Sequence, residues 1–245
     1  SSVESKLVVS KNPLTEFINN FDHLLGYPHG CVEQTVSKAF PQLYFADFVK
    51  SAGIKNKIQL RDGDNEMNPN YNVREAIRKL QGMQLYNGGM SYWAGGYNES
   101  WWGSAYAAHF LLEAEKAGYD VDNNVLNRLL EYLNYKVNDK DLVKYRYYSA
   151  QESGGYAYIY KEYVPREVIY SLYVLSRAGR PNRPTMNYYK GKKHLLTTDA
   201  TYLLAGAYSL IADRASFKEL IPKEYVEYDQ WQSTGGSFYS PTRNL

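Results

Sequence analysis

The chain of 245 residues has a single cysteine and little net charge. One cysteine excludes an internal disulfide and any zinc or redox motif that needs several cysteines. The net charge is only +2 and the basic runs at 74–79 and 190–194 are short, so no nucleic-acid partner is predicted. No apolar run approaches membrane-spanning length, and the first residues lack a signal-peptide pattern. We therefore expect no direct membrane contact, and either an excised segment or a cytosolic protein.

A metal site is not predicted either. Asp62, Asp64 and Glu66 alternate loosely as in a calcium-binding loop, but the downstream glutamate and the rest of that pattern are missing. No cofactor is expected. Phenylalanine is scarce at 8 residues, whereas tyrosine reaches 26. Because tyrosines are spread along helical stretches, we favour helix packing with the hydroxyl reaching a partner, and a sugar-stacking cleft is the alternative.

Apolar residues recur at the helical period along most of the chain. Pro41 predicts a kink or break near residues 39–40 of the second helix. No stretch alternates convincingly like a strand, although 155–163 is compatible with a short hairpin arm. We predict an arm or linker at 1–12, a loop at 180–185, and helical segments at 14–25, 33–50, 71–85, 104–118, 125–137, 167–179, 192–198 and 201–212.

Three segments share a pair of glycines that is followed by aromatic residues and precedes a helical stretch or its expected start, at 88–89, 154–155 and 235–236. The first two precede predicted helices that end in Ala-Gly, a favourable helix C-terminus. After the third pair the chain stops where another such helix should begin. This self-similarity predicts an all-α architecture of stacked helix pairs.

The only cysteine lies in the string Tyr27-Pro-His-Gly-Cys-Val-Glu-Gln34-Thr. Cys31 and Gln34 are three residues apart, so their side chains can meet on one side of a helical turn. If the thiol displaces ammonia from the carboxamide, an internal thioester closes a ring of about fifteen atoms, an acylating agent made from the chain itself. The alternative is that Cys31 is an ordinary buried thiol.

The string Gly30-Cys-Val-Glu-Gln34-Thr, preceded by Tyr-Pro, resembles the G-C-x-E-Q thioester motif of the α2-macroglobulin and complement family, in its bacterial form. The string Trp101-Trp-Gly-Ser-Ala-Tyr resembles the W-L-T-A-Y/F string of that family's thioester-containing domain. The resemblance covers most of the chain and implies an α/α toroid. We therefore expect one such domain over 13–245, truncated at its C-terminal end.

The resemblance implies a covalent protease trap that acts once and is not a turnover enzyme. Cys31 supplies the thiol and Gln34 the acyl group, supported by Gly30, Glu33 and Tyr27. The implied partners are target proteases, through amine attack, and other domains of a full-length protein. The implied location is the bacterial cell envelope or periplasm, as part of a membrane-anchored lipoprotein.

Aromatic side chains are candidates to cover the bond, namely Tyr27, Tyr92 and Trp93, with ordinary packing as the alternative. Some relatives use a histidine in acyl transfer, but none of the four histidines here stands in a matching string, so direct amine attack is favoured. A local role for His29 stays open.

Three other functions stay open. One is an α/α-toroid carbohydrate-active enzyme, with exposed tryptophans and acid pairs as its site. A second is a cysteine hydrolase that uses Cys31 with a histidine. The third is a helical-repeat binding module in which Cys31 and Gln34 never bond.

Overall fold

The computed structural model describes residues 26–45, 68–150 and 154–221. Most of these residues are helical, and none of the helices in this part of the chain is long and apolar enough to span a bilayer. The predictions for the arm at 1–12, the helix at 14–25, the acidic residues at 62–66 and the glycines at 235–236 lie outside these ranges. The helices are α1 (Val32–Ala39), α2 (Pro69–Gln81), α3 (Trp101–Lys116), α4 (Asn123–Val137), α5 (Arg166–Arg177), α6 (Arg183–Lys190), α7 (Thr198–Leu210) and α8 (Arg214–Leu220).

Within the described ranges, two short antiparallel hairpins interrupt the helices. Strand β1 (Met90–Ser91) pairs with β2 (Glu99–Ser100), and β3 (Val143–Ala150) pairs with β4 (Tyr156–Tyr163). The hairpin arm predicted at 155–163 is confirmed. The prediction that no other stretch forms a strand is wrong for β3, whose eight residues include three tyrosines, a residue type that suits strands as well as helix packing.

Contacts divide the chain into two units, residues 1–132 and 133–245, with the boundary inside α4. In the first unit α1 packs against α2 and α3, and in the second α5 packs against α7 and α7 against α8. Each fully buried Val or Leu side chain contributes about 1.5–3 kcal/mol. The first core includes Val32, Val36, Val73, Leu80, Ala105 and Leu111, and the second includes Val168, Ile169, Leu172, Leu175 and Leu204.

The break predicted in the second helix is confirmed. Helix α1 ends at Ala39, and a tighter 3₁₀ turn, Phe40–Tyr44, follows with Pro41 in its first turn. Proline lacks the N–H that an α-helix interior requires, so the α pattern cannot continue through it. The rest of the helix predicted to residue 50 lies beyond the described range.

The predicted Ala-Gly helix ends are also confirmed. Gly118 after α3 and Gly179 after α5 have φ of +90° and +71°. Tyr119 N–H donates to the carbonyl of Ala114 at 3.0 Å, and Arg180 N–H makes the equivalent bond after α5. Glycine enters this left-handed conformation without the Cβ penalty, so both helices end at these positions.

The first two glycine pairs serve different purposes. A Cβ on Gly88 would lie 2.4 Å from the carbonyl oxygen of Arg128, and one on Gly89 would lie 2.8 Å from the Tyr132 ring, so this pair lets α4 approach the turn. The pair at 154–155 has open space around it and φ of +83° and +86°. It therefore supplies only the backbone freedom of the β3–β4 turn.

The loop predicted at 180–185 is wrong in its second half. Helix α6 begins there because the Asn182 side chain accepts a hydrogen bond from the Thr185 N–H at 3.1 Å. Pro184 lies in the first turn, where a backbone N–H would have no partner within the helix, so proline is tolerated. The helix predicted at 192–198 is instead a short 3₁₀ turn, Lys193–Leu195. Helix α7 follows it, close to the predicted 201–212.

Candidate functional site

Cys31 is the N-cap residue of α1, in an extended conformation with φ −73° and ψ 175°. Its side chain is buried, with 3% of its surface exposed. The next residue, Val32, donates its N–H to the carbonyl of Tyr92 at 3.1 Å. Because Tyr92 directly follows β1, the β1–β2 hairpin determines what lies over the thiol.

The Tyr92 hydroxyl is a hydrogen-bonding neighbour of the Cys31 thiol. That contact, with the nearby charges of Cys31 and Glu33, raises the pKa of Tyr92 above its ordinary value. Tyr92 is 40% exposed, so this neighbour of the buried sulfur is itself partly open to solvent. Trp93, the other aromatic predicted to cover the bond, is 54% exposed and contacts the Tyr92 ring edge-on at 5.7 Å between centroids.

Gln34 folds back onto the start of α1. The backbone N–H of Cys31 donates to Gln34 Oε1 at 3.1 Å, and the backbone N–H of Gln34 points to the Cys31 sulfur. The two contacts together form a reciprocal capping box. The thiol and the carboxamide are thereby brought to the same helical turn, as their spacing predicted. Glu33, expected to support the motif, lies at the second helical position, and Gln34 holds the capping position.

Gly30 makes room for the carboxamide. Its φ is +98°, and a Cβ built on it would lie 2.0 Å from Gln34 Oε1 and 2.9 Å from Gln34 Cδ. No real atom pair approaches so closely, so a larger residue must displace the Gln34 side chain. Glycine at this position is therefore a requirement of the folded-back carboxamide.

Tyr27 anchors the loop before Cys31 to helix α2. Its hydroxyl donates to Glu75 Oε2 at 2.9 Å, and Lys79 Nζ lies 4.5 Å above its ring. The same ammonium donates to the carbonyl of Pro28 at 2.8 Å. Sequence reasoning missed Glu75 and Lys79, because nothing local to α2 marks two of its polar residues as supports for a loop some fifty positions earlier.

Charged residues of α2, together with burial, shift the pKa values of the groups that anchor the loop. Arg78 holds Glu75 through two hydrogen bonds, 3.1 and 2.7 Å, which keeps the pKa of that carboxyl below its usual range. Burial, together with Glu75, raises the pKa of Tyr27, so its hydroxyl stays a neutral donor. Burial also lowers the pKa of Lys79.

Replacing Tyr27 with phenylalanine removes this donor and keeps the ring. We expect a loss of about 1 kcal/mol in unfolding free energy, the usual effect of one partly exposed hydrogen bond to a charged group. Thermal or urea unfolding measures it. Tyr135→Phe, at a tyrosine that is 68% exposed, is the matched control and should stay within about 0.5 kcal/mol of the parent. Equal effects from both substitutions would contradict the anchoring role.

On the other side of Gln34 lies an open cavity of about 450 Å³. Gln34 is exposed into it, whereas Cys31 is buried. The two partners of the predicted bond therefore have different surroundings. The cavity is lined by Tyr27, His29, Gly30, Gln34, Ser37 and Lys38.

The remaining candidates lie apart from one another. His29 packs against the Tyr27 ring at 4.5 Å, and His109 meets Phe40 edge-on at 5.1 Å in α3. His194 is exposed, and the Trp101–Trp102 pair opens α3 half-buried. Residues 26–45, 68–150 and 154–221 contain no group of three His, Cys, Asp or Glu side chains placed to hold a metal.

Comparisons with known proteins identify several similar proteins. The model of the A-macroglobulin TED domain family matches residues 2–142. Alpha-2-macroglobulin from Escherichia coli K12 is 35% identical over 137 residues, which are 54% of this chain and 8% of that protein. Alpha-2-macroglobulin from Xylella fastidiosa Temecula1 is 29% identical over 182 residues, 73% of this chain and 10% of the relative. The chain thus spans a small part of these relatives.

Solved structures share the fold. Salmonella alpha-2-macroglobulin reacted with methylamine is 25% identical, with a TM-score of 0.62 over 84% of this chain and 12% of that one. Trypsin-activated alpha-2-macroglobulin from Escherichia coli is 24% identical, with a TM-score of 0.61 over 80% of this chain and 13% of that one. The likeness confirms the predicted fold class, all-α of the α/α-toroid type. Since the family model matches more than half of its residues, the chain belongs to the A-macroglobulin TED domain family.

Proposed function

We propose that this domain carries an internal thioester between Cys31 and Gln34 and serves a protease trap that acts once. The observation that supports it best is the capping box, in which the thiol of a buried cysteine and a folded-back carboxamide share one helical turn. Membership of the A-macroglobulin TED family supports the protease-trapping role.

The bond forms when the Cys31 sulfur attacks Gln34 Cδ. The C–N bond of the carboxamide breaks, and ammonia leaves with the proton that the thiol gives up. The Cys31 N–H, 3.1 Å from Gln34 Oε1, stabilises negative charge on that oxygen while the carbon is tetrahedral.

Reaction with a target protease breaks the thioester. A lysine amine of the target protease attacks the Gln34 carbonyl carbon, the C–S bond breaks, and Cys31 leaves as a thiolate that takes up the amine's proton. The acyl group stays on the protease as an amide. Because water is the competing nucleophile, burial of the sulfur beneath Tyr92 prolongs the life of the bond, while the cavity beside Gln34 gives the amine its approach.

The partners and location follow from the same proposal. The targets are proteases, joined covalently through their amines, and the remaining partners are other domains of a longer protein, since the bacterial relatives extend far beyond the matched region. We place the protein in the cell envelope or periplasm, within a membrane-anchored lipoprotein.

Intact mass tests the proposal. The purified chain should be lighter than its sequence by one ammonia and should show no reactive thiol. Methylamine should then add once per chain and release one thiol. The Salmonella relative solved after reaction with methylamine makes this probe the natural choice.

Cys31→Ala is the control, because it removes the sulfur and leaves the carboxamide in place. That variant should have the mass of its sequence and ignore methylamine. If the parent chain also has its sequence mass, takes up no methylamine and titrates one thiol from the start, the proposal fails.

A further inference from the structure

Lys38 lies one helical turn after Gln34 on α1. Residues four apart are neighbours on a helix surface, and helical side chains lean toward the N-terminus, so the lysine stem points back to the turn that holds the carboxamide. Its Cε and Nζ lie 3.1 and 3.4 Å from the point where a Cβ on Gly26 would sit, beside the loop that leads to Cys31. Lys38 and Gln34 line the same cavity.

This placement puts an amine of the chain itself in the wall of the cavity that Gln34 also lines. In the thioester, the carbonyl carbon of Gln34 is the electrophile and faces the cavity, whereas the sulfur lies on the buried side. A nucleophile held on the same helix reacts as if it were present at very high concentration, because no encounter with a second molecule is required. Lys38 therefore competes with any external amine.

We propose that, when no external nucleophile arrives, Lys38 attacks the thioester and forms an isopeptide bond with Gln34. This inference rests on the proposed function, since it needs the thioester as its acyl donor. The neutral Nζ adds to Gln34 Cδ, the C–S bond breaks, and the Cys31 thiolate takes the proton that the nitrogen loses. No oxidant, reductant or further reactant takes part.

The product is compatible with the helix. A link between side chains four residues apart lies along one face of α1, where residues at i and i+4 are neighbours. The domain would then be spent: its thiol free, its acyl group blocked, and its fold intact. Lys38 in this way limits the time for which an unreacted domain keeps its thioester.

The isopeptide and the thioester have the same mass, because each lacks one ammonia relative to the sequence. Mass alone therefore does not distinguish the two products, whereas a thiol titration does, because only the isopeptide form has a free Cys31 thiol. The experiment follows intact mass, thiol titre and methylamine uptake together while the purified chain is incubated at mildly alkaline pH without added amine. Tandem mass spectrometry of the peptide that spans residues 31–38 then locates any cross-link.

In the parent chain we expect the thiol to appear and methylamine uptake to disappear while the mass stays one ammonia low. A cross-link between Gln34 and Lys38 should survive hydroxylamine, which cleaves thioesters and esters. Lys38→Met should lose methylamine reactivity about tenfold more slowly and should gain one water as it does so, the mark of hydrolysis. Lys116→Met, at an exposed lysine in the last turn of α3, should behave like the parent.

Three outcomes overturn the inference. The first is a thiol that appears only together with a gain of one water in the parent. The second is equal decay of the parent and Lys38→Met. The third is a hydroxylamine-labile link from Gln34 to Ser37, whose hydroxyl lies in the same cavity wall. In each case a starting mass one ammonia low, together with no titratable thiol and with uptake of methylamine, still supports the thioester, so failure here is distinguishable from failure of the proposed function.

Discussion

Gly30→Ala is expected to abolish the Cys31–Gln34 thioester. The new Cβ would lie 2.0 Å from Gln34 Oε1, so the carboxamide must leave its position over the start of α1. The φ of +98° adds strain for any residue with a side chain. The Cys31 N–H then loses its acceptor and the sulfur loses its electrophile. Intact mass should equal that of the sequence, with one titratable thiol and no methylamine uptake.

Gly26→Ala is the matched control, because it makes the same change in the same loop at another positive φ, +142°. There the Cβ meets only the flexible end of Lys38, at 3.1 Å, and that end can move aside. Similar backbone strain should thus leave the thioester in place. Should Gly30→Ala still form the bond, or should both variants lose it equally, the close approach to the carboxamide is not what requires glycine at position 30.

Much of the helical framework follows from local signals. Helices α3 and α5 begin and end close to their predicted positions because an apolar period and an Ala-Gly terminus act within a few residues of each other. The break at Pro41 follows from the missing N–H alone. Strand β3 was missed because alternating tyrosines suit either a helix face or a strand, and only the partner β4 decides between them.

For the site, the motif predicted that Cys31 and Gln34 share a turn, and the structure agrees. The motif does not indicate that Cys31 is buried and Gln34 exposed, because the burial of each residue depends on how the β1–β2 hairpin and α2 pack against the loop. Tyr27 was expected to cover the bond. The structure instead directs its hydroxyl to Glu75, on a helix far along the sequence. A contact between residues so far apart in the sequence produces no periodic pattern in either segment.

The same holds for Gln42, which the sequence offers only as one polar residue in a short turn. It is 2% exposed and joins three segments. Its Nε2 donates to the carbonyls of Gly26 at 3.0 Å and Lys38 at 2.9 Å, and its Oε1 accepts from the Asn72 amide at 2.8 Å. One buried amide thus ties the start of the site loop, the end of α1 and helix α2 together.

Gln42→Leu keeps a similar volume and removes all three bonds. Buried groups on the other side are then left without this partner, each at a cost of about 1–3 kcal/mol. Because part of that cost is relieved by water or small shifts, we expect about 3 kcal/mol of lost stability and a fall in Tm of roughly 10 °C. Urea and thermal unfolding provide the measurement. Gln81→Leu, at an exposed position of α2, should change stability by less than about 0.5 kcal/mol.

The comparison of Gln42→Leu with Gly30→Ala also separates support of the fold from support of the chemistry. Gln42 holds the backbone at Gly26, four residues before Gly30, and touches neither the thiol nor the carboxamide. Well below its lowered midpoint, Gln42→Leu should therefore still lose ammonia and take up methylamine. Gly30→Ala, by contrast, should remain folded and unable to form the bond. If Gln42→Leu proves as stable as the parent, the amide is not a structural tie, and other contacts, including those of Tyr27 and Lys79, hold the loop.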